Sequence, residues 1–513
     1  MKILLLVPTP PRTCWPKGLY RNWSFDTGLA CAATTLRREG HDVRIVRREE
    51  QLIKLGFDWD RAEADLRNLI QTFRPALVVQ SVATPAMSEA ARIARRIKEI
   101  AGTHTINVLC GTHPSGVPEL ALSESADVDA VVVGEFEATL RDVADTGPLP
   151  EVPGLVVRQD GRFIHTPHRA AVPELDAIGP PAYDLLDMEF QKRRNPWMIR
   201  YLNLSCLNIR TSRGCPNRCA FCAEHLVGGL GVRFHSLDYV MEQVGYACAQ
   251  GFEAVHFEDE TFAADRDRLL AICEAMQRWG FHKKIKWDCL MRVDQVQPEL
   301  LAAMKAAGCI QIEYGFESGS DKALRSVGKN ATVEQNRRAV SLTRQAGIRV
   351  FADIMVGLPG ETGEDLDATV RFLRWAKPEI LSAGRLLPMP GTVLYSRLPA
   401  HVRSSLSWEG YSYTPQPGFQ LNLTDMPDAQ FERWYRDFFK YTVKPHNTLA
   451  LLRDVGLTDD KARREYRRAL CRFAWHHPLR VLRLPIRLGS RNMWFQEQSL
   501  RRCEDPRLGY LDG

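Results

Sequence analysis

The stretch Arg213-Gly-Cys-Pro-Asn-Arg-Cys-Ala-Phe-Cys222 spaces three thiols as C-x3-C-x2-C. Thiolates are the ligands that iron–sulfur clusters use, and one short loop can wrap three corners of a cubane. Three protein ligands on a four-iron cluster leave one iron open. An open iron can chelate a small molecule through an amine and a carboxylate. Zinc is the rival, but it usually wants four ligands and often a second CxxC pair. Only Cys206 lies close enough in sequence to be a fourth ligand, and no second pair exists.

The thiols follow the first of a series of strand candidates: Asn208–Thr211, Ala254–Glu258, Ile285–Asp288, Ile310–Tyr314, Arg349–Ile354 and Ile380–Leu386. Helical patterns intervene at Leu237–Ala249, Arg266–Trp279, Pro298–Ala307, Val333–Gln345 and Gly363–Ala376. Roughly six β/α units over residues 201–400 predict a partial TIM-type (β/α)6 barrel, not a complete eightfold one. The thiols then occupy a βα loop, where a barrel puts its chemistry.

Residues 1–150 alternate in the same way, with strand candidates Ile3–Val7, Val43–Val46, Leu77–Ser81, Asn107–Cys110 and Ala130–Val133. An amphipathic stretch, Gly28–Glu39, ends at Gly40 in the position of a helix C-cap. The alternation predicts a Rossmann-like, doubly wound parallel sheet with its ligand crevice at the strand C-terminal ends. No G-x-G-x-x-G follows the first strand. Pro8-Thr-Pro-Pro-Arg-Thr-Cys-Trp-Pro16 does, and it cannot cradle a pyrophosphate in the usual way, which argues against a dinucleotide. Residues 151–200 read as a linker with a small hairpin, Leu155–Val157 and Phe163–Ile164 joined at Asp160-Gly161, before Gly179-Pro-Pro181 breaks any regular element.

After about Ser396 the alternation stops, and residues 401–513 read as a helical, basic C-terminal region with helix over 427–475. Lys461–Arg487 carries nine Lys and Arg against one acid, Glu465. A solvated helical face explains this better than an anionic-surface contact.

The 513 residues, 45% hydrophobic and 25% charged, fit a globular chain of two or three domains. A net charge of +6 favours anionic ligands weakly and gives no ground for nucleic acid. No apolar run approaches the ~20 residues of a transmembrane helix, and Ile3–Val7 is too short for a signal-peptide core. The expected location is the cytoplasm. Thirteen cysteines, an odd number with one dense cluster, fit thiols and metal ligands in a reducing compartment. Cys31, Cys110, Cys248, Cys273 and Cys309 read as small buried hydrophobes.

The thiol loop closely resembles the cluster loop of the radical SAM family, and the resemblance runs through the whole second domain. It implies a [4Fe–4S] cluster on Cys215, Cys219 and Cys222, with S-adenosylmethionine (SAM) on the open iron. Phe221 occupies the aromatic position that flanks the SAM adenine in that family. Phe257-Glu-Asp-Glu-Thr-Phe262 resembles the acidic segment near the methionine end of SAM, which implicates Glu258, Asp259 and Glu260. Arg292-Val-Asp294 resembles another strand-end motif. Tyr314-Gly-Phe-Glu-Ser-Gly-Ser320 looks like the segment approaching the ribose, with Glu317 and Ser318. Gly357-Leu-Pro-Gly-Glu-Thr362 resembles the fifth-strand turn, and Pro388-Met-Pro-Gly-Thr-Val-Leu-Tyr395 the closing strand exit.

The first domain resembles the cobalamin-binding domain of B12-dependent radical SAM proteins. Thr27-Gly-Leu-Ala30, Gly40-His-Asp-Val43, Ser81-Val-Ala-Thr-Pro85, Gly111-Thr-His-Pro114 and Val133-Gly-Glu-Phe-Glu137 carry the likeness. It implies cobalamin contacts from Ser81, Thr84, Gly111, His113, Gly134 and Glu135. The D-x-H-x-x-G motif of His-on corrinoid proteins is missing, which implies a base-off, His-off corrinoid, with His113 packing near the cofactor and not ligating cobalt. Trp15 and Trp23 lie on the corrin face or pack the core.

By this resemblance the expected function is C-methylation of an unactivated carbon in a small molecule of secondary metabolism, through a 5′-deoxyadenosyl radical and methylcobalamin, as in class B methyltransferases. Cobalamin-assisted cyclisation, oxidation or rearrangement is the alternative, and a non-catalytic corrinoid-binding protein a second. The resemblance also implies an external electron donor such as flavodoxin or ferredoxin.

Overall fold

A computed structural model describes residues 1–11, 25–195, 198–200, 202, 204–411, 421–443 and 446. Trp15, Trp23 and the basic stretch Lys461–Arg487 lie outside the described residues.

The first sheet holds β1 (Lys2–Val7), β2 (Asp42–Arg47), β3 (Leu77–Ser81), β4 (Ile106–Cys110), β5 (Ala130–Val132), β6 (Leu155–Gln159) and β7 (Arg162–His165). Their order is β2-β1-β3-β4-β5-β6-β7, with β1 to β5 parallel. Successive residues of β1 feed opposite faces. Ile3 and Leu5 pack with Leu29, Ala33 and Leu36 of the helix Thr27–Arg38, while Leu4 and Leu6 pack with Leu66, Ile70 and Ile97 on the other side. A strand covered on both faces must be apolar along its buried length, and β1 is from Ile3 to Val7. The order reverses at β1 and β3, so a crevice opens beyond their C-terminal ends.

The hairpin expected in the connection belongs to this sheet. β6 pairs antiparallel with β5, setting Val131 against Val156, and β7 pairs with β6. Three-residue β5 would otherwise present an unpaired buried edge, and β6 covers it. Asp160 and Gly161 both take positive φ, 49° and 73°, as a tight two-residue hairpin turn requires.

The second sheet holds β8 (Cys206–Ile209), β11 (Ala254–Phe257), β12 (Lys286–Met291), β13 (Cys309–Glu317), β14 (Arg349–Val356) and β15 (Ile380–Arg385). Between β8 and β11 lies a short antiparallel ribbon of β9 (Ser212–Arg213) and β10 (Arg233–Phe234). The order β15-β14-β13-β12-β11-β8 is parallel throughout, with β8 and β15 at the two edges. This is the expected open series of six units. Each helix behind it presents an apolar stripe: Val240, Val244 and Ala247 of Leu237–Gln250 meet Leu207, Ile209 and Phe257. Ser236 caps that helix at Tyr239 N, and Gly251, in the left-handed region, ends it.

Residues linking the two sheets brace both. Ala182 N donates to Ala30 O at 2.9 Å, Tyr183 Oη donates to Gln243 Oε1 at 2.8 Å, and Tyr183 stacks on Tyr246. Downstream, the helix Asp428–Phe438 lays Phe431, Tyr435 and Phe438 on the barrel core. The described part of the expected 427–475 helix ends in a π-turn at Phe439–Val443.

Candidate functional site

The thiol loop leaves the C-terminal end of β8 and is anchored at its root by Asp259. That carboxylate is fully buried and accepts from Thr211 N at 3.1 Å, Thr211 Oγ1 at 3.0 Å and Ser212 Oγ. Gly214 (φ +85°) follows, and any Cβ there would collide with the carbonyl oxygens of Gly231 and Gly228. Only glycine lets the loop pass so close to the Gly228–Gly231 turn. Ala220 N donates to Val327 O at 2.8 Å and Ala220 O accepts from Leu394 N at 3.0 Å, so the loop is pinned from both sides.

Cys219 is buried, whereas Cys215 and Cys222 are half-exposed. Asn217 Nδ2 lies 3.5 Å from Cys215 Sγ. Burial pushes Cys222 up to about 12, with Cys219 and Cys215 adding to the rise. Burial also raises Cys219, so the metal-free Cys219 and Cys222 thiols are protonated, and iron must displace those protons. Among the described residues no three Cys, His, Asp or Glu side chains converge as the ligands of a single ion would. A cubane puts each thiolate on a different iron, which spreads the sulfurs farther apart. Cys206 is no fourth ligand: it starts β8, buried among Ile199, Leu202 and Ala254, at the strand end away from the loop.

Charged groups ring the loop at the strand ends. Arg210 bridges Glu258 (3.3 Å) and Glu260 (3.0 Å), and Asn208 Nδ2 donates to Glu258 Oε2 at 3.0 Å. Burial raises Glu260 to about 7 against the pull of Arg210, and its Oε2 is buried without a partner. Glu317 takes φ +60°, a conformation that a non-glycine residue holds only where its surroundings enforce it. Its Oε1 accepts from Lys329 Nζ at 2.7 Å directly over Gly315. Phe221 packs with Ala323, Leu358 and Leu394 at the loop's end.

Inside the barrel the strands carry polar groups where many barrels carry layers of Val, Ile and Leu. His256 Nδ1 sits 2.9 Å from Asp288 Oδ1, and Gln311 Nε2 donates to Asp288 Oδ2 at 3.1 Å. Burial, then the adjoining Asp353 with which it shares a hydrogen bond, holds Glu313 well above the usual carboxylate range. Asn208 Oδ1 is buried there without a partner.

At the ends of the first sheet, Ser81 Oγ donates to Asp26 Oδ2 at 2.7 Å, and Asp26 caps the helix Thr27–Arg38. Gly111 (φ +102°) lets the loop after β4 touch Val82, where a Cβ would stand 3.1 Å from N and O. Gly134 (φ +85°) faces open space. Thr9 Oγ1 and Thr27 Oγ1, beyond β1 and at the first helix turn, are buried without partners. The two sheets meet at these ends. Glu135 and Glu137 ion-pair with Arg213 and Arg233 of the thiol-loop ribbon. The backbones of Gly116 and Gly391 touch, leaving no room for a Cβ on either.

Known proteins carry the same two halves. Residues 209–373 match the Radical SAM superfamily and residues 22–144 the B12 binding domain. The chain is 30% identical over 419 residues to an uncharacterized methyltransferase of Pyrococcus horikoshii, covering 80% of this chain and 86% of that one. The chain belongs to the B12-binding-domain radical SAM enzymes. It is also 26% identical over 427 residues to an anaerobic magnesium-protoporphyrin IX monomethyl ester cyclase of Rubrivivax gelatinosus, covering 79% and 72% of the two chains. The fold matches the radical S-adenosylmethionine methyltransferase TsrM of Kitasatospora setae, solved with cobalamin and a [4Fe–4S] cluster bound, with TM-score 0.60 and 19% identity over 77% of this chain and 73% of that one. A [4Fe–4S] cluster, SAM and cobalamin are thus the cofactors of this radical SAM enzyme.

The donor set fits them: three thiols on one loop, partly satisfied carboxylates at the barrel mouth, and orphaned hydroxyls at the B12 domain's edge. Several residues expected at the cofactors are committed elsewhere. Asp259 points back to the loop root. Ser318, fully buried, bonds Thr369 Oγ1 at 3.0 Å. Arg292 braces a turn through Asp294 and the carbonyls of Lys329 and Asn330. A Cβ on Gly357 (φ +88°) would stand 2.9 Å from Phe431, so its cradle holds the C-terminal helix; Glu361 caps that turn at Gly357 N and Leu358 N, both 2.8 Å. Glu135 serves the domain interface. Thr84 and His113 bond each other at 3.3 Å, 1% exposed, with the Trp408 ring 4.9 Å from the histidine. Sequence reasoning missed Arg210, Lys329, Glu313 and Asp353. For Glu313 and Asp353 the available signal was a charge within a barrel strand; Arg210, just past β8, and Lys329, in the loop after Asp321–Ser326, carried none.

Burial lowers His113 from 6.5 to about 4. The folded chain keeps a neutral ring where the unfolded chain binds a proton. Stability that is complete above pH 6.5 is therefore lost as pH falls toward 4. The contribution is about 3 kcal/mol, and His113→Gln should flatten that stretch of the profile. Denaturant unfolding of both proteins at about pH 7.5 and about pH 4.5 reads it directly; parallel profiles would refute it.

Among the described residues no helix is long and apolar enough to cross a membrane.

Proposed function

We propose that this enzyme is a C-methyltransferase that acts on an unactivated carbon of a small molecule of secondary metabolism. The carrying observation is that the C-terminal edge of the B12 domain is docked onto the barrel mouth, by Glu135 and Glu137 on Arg213 and Arg233 and by Gly116 on Gly391. A substrate carbon held between them would be open to both cofactors, and the methyltransferase relatives support the same reading.

When bound, the cluster and SAM would supply radical hydrogen-atom abstraction, and cobalamin would supply the methyl group. Cys215, Cys219 and Cys222 would hold the cluster, three ligands for its four irons. Glu258 and Glu260, set by Arg210, stand where an ammonium group would be received, and Phe221 offers an apolar face to the adenine. Glu317, fixed by Lys329, stands where ribose hydroxyls would lie. Ser81 and Gly134 line the corrin side, with Thr9 and Thr27 as unused donors. The Glu313–Asp353 acid pair and His256 line the barrel interior, where a substrate would be held and water restricted. An external one-electron donor, a flavodoxin or ferredoxin, would act in the cytoplasm.

Anaerobic incubation with CD3-labelled SAM and extract of the producing cell tests the proposal. Deuterium should enter a new small molecule. A new but unlabelled product would support oxidation, rearrangement or cyclisation, the last being the chemistry named for the Rubrivivax relative. SAM that is never cleaved would leave only corrinoid binding.

A further inference from the structure

Two residues ahead of the first cluster cysteine stands an arginine whose charge is answered by the other domain. Arg213 Nη2 donates to Glu137 Oε1 at 2.6 Å, and its Nη1 lies 3.5 Å from Glu135 Oε1. Glu135 also takes a forked pair of bonds from Arg233, at 3.0 and 2.6 Å. Arg213 and Arg233 stand directly opposite each other on the β9–β10 ribbon. Two like charges in that position repel, so the ribbon is favourable only with both glutamates in place.

Three of the four groups are poorly hydrated: the side chains of Arg213, Glu137 and Glu135 are 9%, 2% and 7% exposed, and that of Arg233 is 21% exposed. Burial opposes ionisation of Glu137, yet Arg213 holds its carboxyl below the ordinary range. Buried ion pairs add little net stability, because desolvation offsets the attraction. Their directional forks instead favour one arrangement over its neighbours. Here the arrangement is that of two cofactor domains. Glu135 and Glu137 leave the end of β5, and Glu137 opens the helix Glu137–Thr146 packed within the B12 domain. On the other side, Gly214 packs against the Gly228–Gly231 turn too closely to admit a Cβ, which couples the position of Arg213 to that of Cys215.

We propose that Glu137–Arg213 and Glu135–Arg233 are positioning pairs that fix the distance between the cluster and cobalamin. They touch neither cofactor. They transmit the position of the β5 loop to the thiol loop. A misplacement of about 1 Å at such a site can cost about 10²-fold in rate, so the pairs act on geometry more than on folding. The inference rests on the family's cofactors and is independent of methyl transfer.

The test is a pulsed EPR distance measurement on the full-length holoprotein, between the reduced cluster and cob(II)alamin. The unaltered protein should give one narrow distribution. Glu137→Gln keeps the shape but removes the charge; it should broaden the distribution and move its mean by about 1 Å or more, with iron and cobalt contents unchanged. Glu89→Gln is the control. Its pair with Arg92, at 2.8 Å, is comparably buried on the glutamate side but lies on the helix Met87–Ala101. It should leave the distribution as it was. An unchanged distribution in Glu137→Gln, or an equal shift in Glu89→Gln, overturns the proposal. If Glu137→Gln does not fold, Arg213→Lys, which keeps the charge but loses the fork, is read by the same criteria.

Discussion

Cys219→Ala should yield a protein that retains cobalamin but holds no cluster, with SAM cleavage reduced to that of cluster-free protein. Of the three thiols Cys219 is the most enclosed, and its neighbours Ala220 and Phe221 are tied to the barrel. Cys206, the other thiol nearest in sequence, offers no replacement, because it lies at the far end of β8. Two thiolates cannot hold a cubane at three corners. The B12 domain has its own core, so its cofactor should persist. Iron, sulfide and cobalt per chain, with 5′-deoxyadenosine formed, read the outcome. A full iron complement in the variant would mean that the ligands lie elsewhere.

Lys329→Met should cost about 3–5 kcal/mol of stability, because it leaves the Glu317 carboxylate buried without its cation. The side chains of Lys329 and Glu317 are 10% and 8% exposed. Burial already raises Glu317 above its ordinary value of 4.5 despite Lys329; without the lysine it rises further. A carboxyl whose folded value exceeds its unfolded one binds protons more tightly when folded, so stability falls as pH climbs from 4.5 through the folded value. The loss in Lys329→Met should thus be small in acid and full at neutral pH. The double variant Glu317→Gln, Lys329→Met should recover most of it. Denaturant midpoints across pH decide, and a loss below about 1 kcal/mol would place the pair among weak surface bridges.

The sequence makes the architecture legible because most parallel strands are apolar runs ended by turn residues, and several crossing helices start at a capping side chain, Asp26, Ser236, Asp265, Thr332 and Thr362 among them. The thiol loop is legible because its three ligands sit within eight residues. What escapes is direction. Glu258 and Asp259 are adjacent acids at one strand end. Alternation along a strand sends their side chains opposite ways, so one faces the interior with Arg210 and the other returns to Thr211. Glu317 and Ser318 divide likewise. Glu135 reads the same whether it faces a ligand or another domain, and its partner Arg233 lies 98 residues away with no local pattern to mark it. Gly357 has the look of a ligand cradle, but it is filled by Phe431, a long-range contact. The hairpin fails as a linker because the shortness of β5, which makes a covering strand necessary, shows only once the sheet is assembled.

The vacant iron carries the whole account, and Mössbauer spectroscopy of protein reconstituted anaerobically with iron-57 observes it directly. Adding SAM should change the signal of one iron in four, the site that no thiol occupies, and leave the other three as they were. A spectrum indifferent to SAM, or a preparation whose metal proves to be zinc, would contradict it.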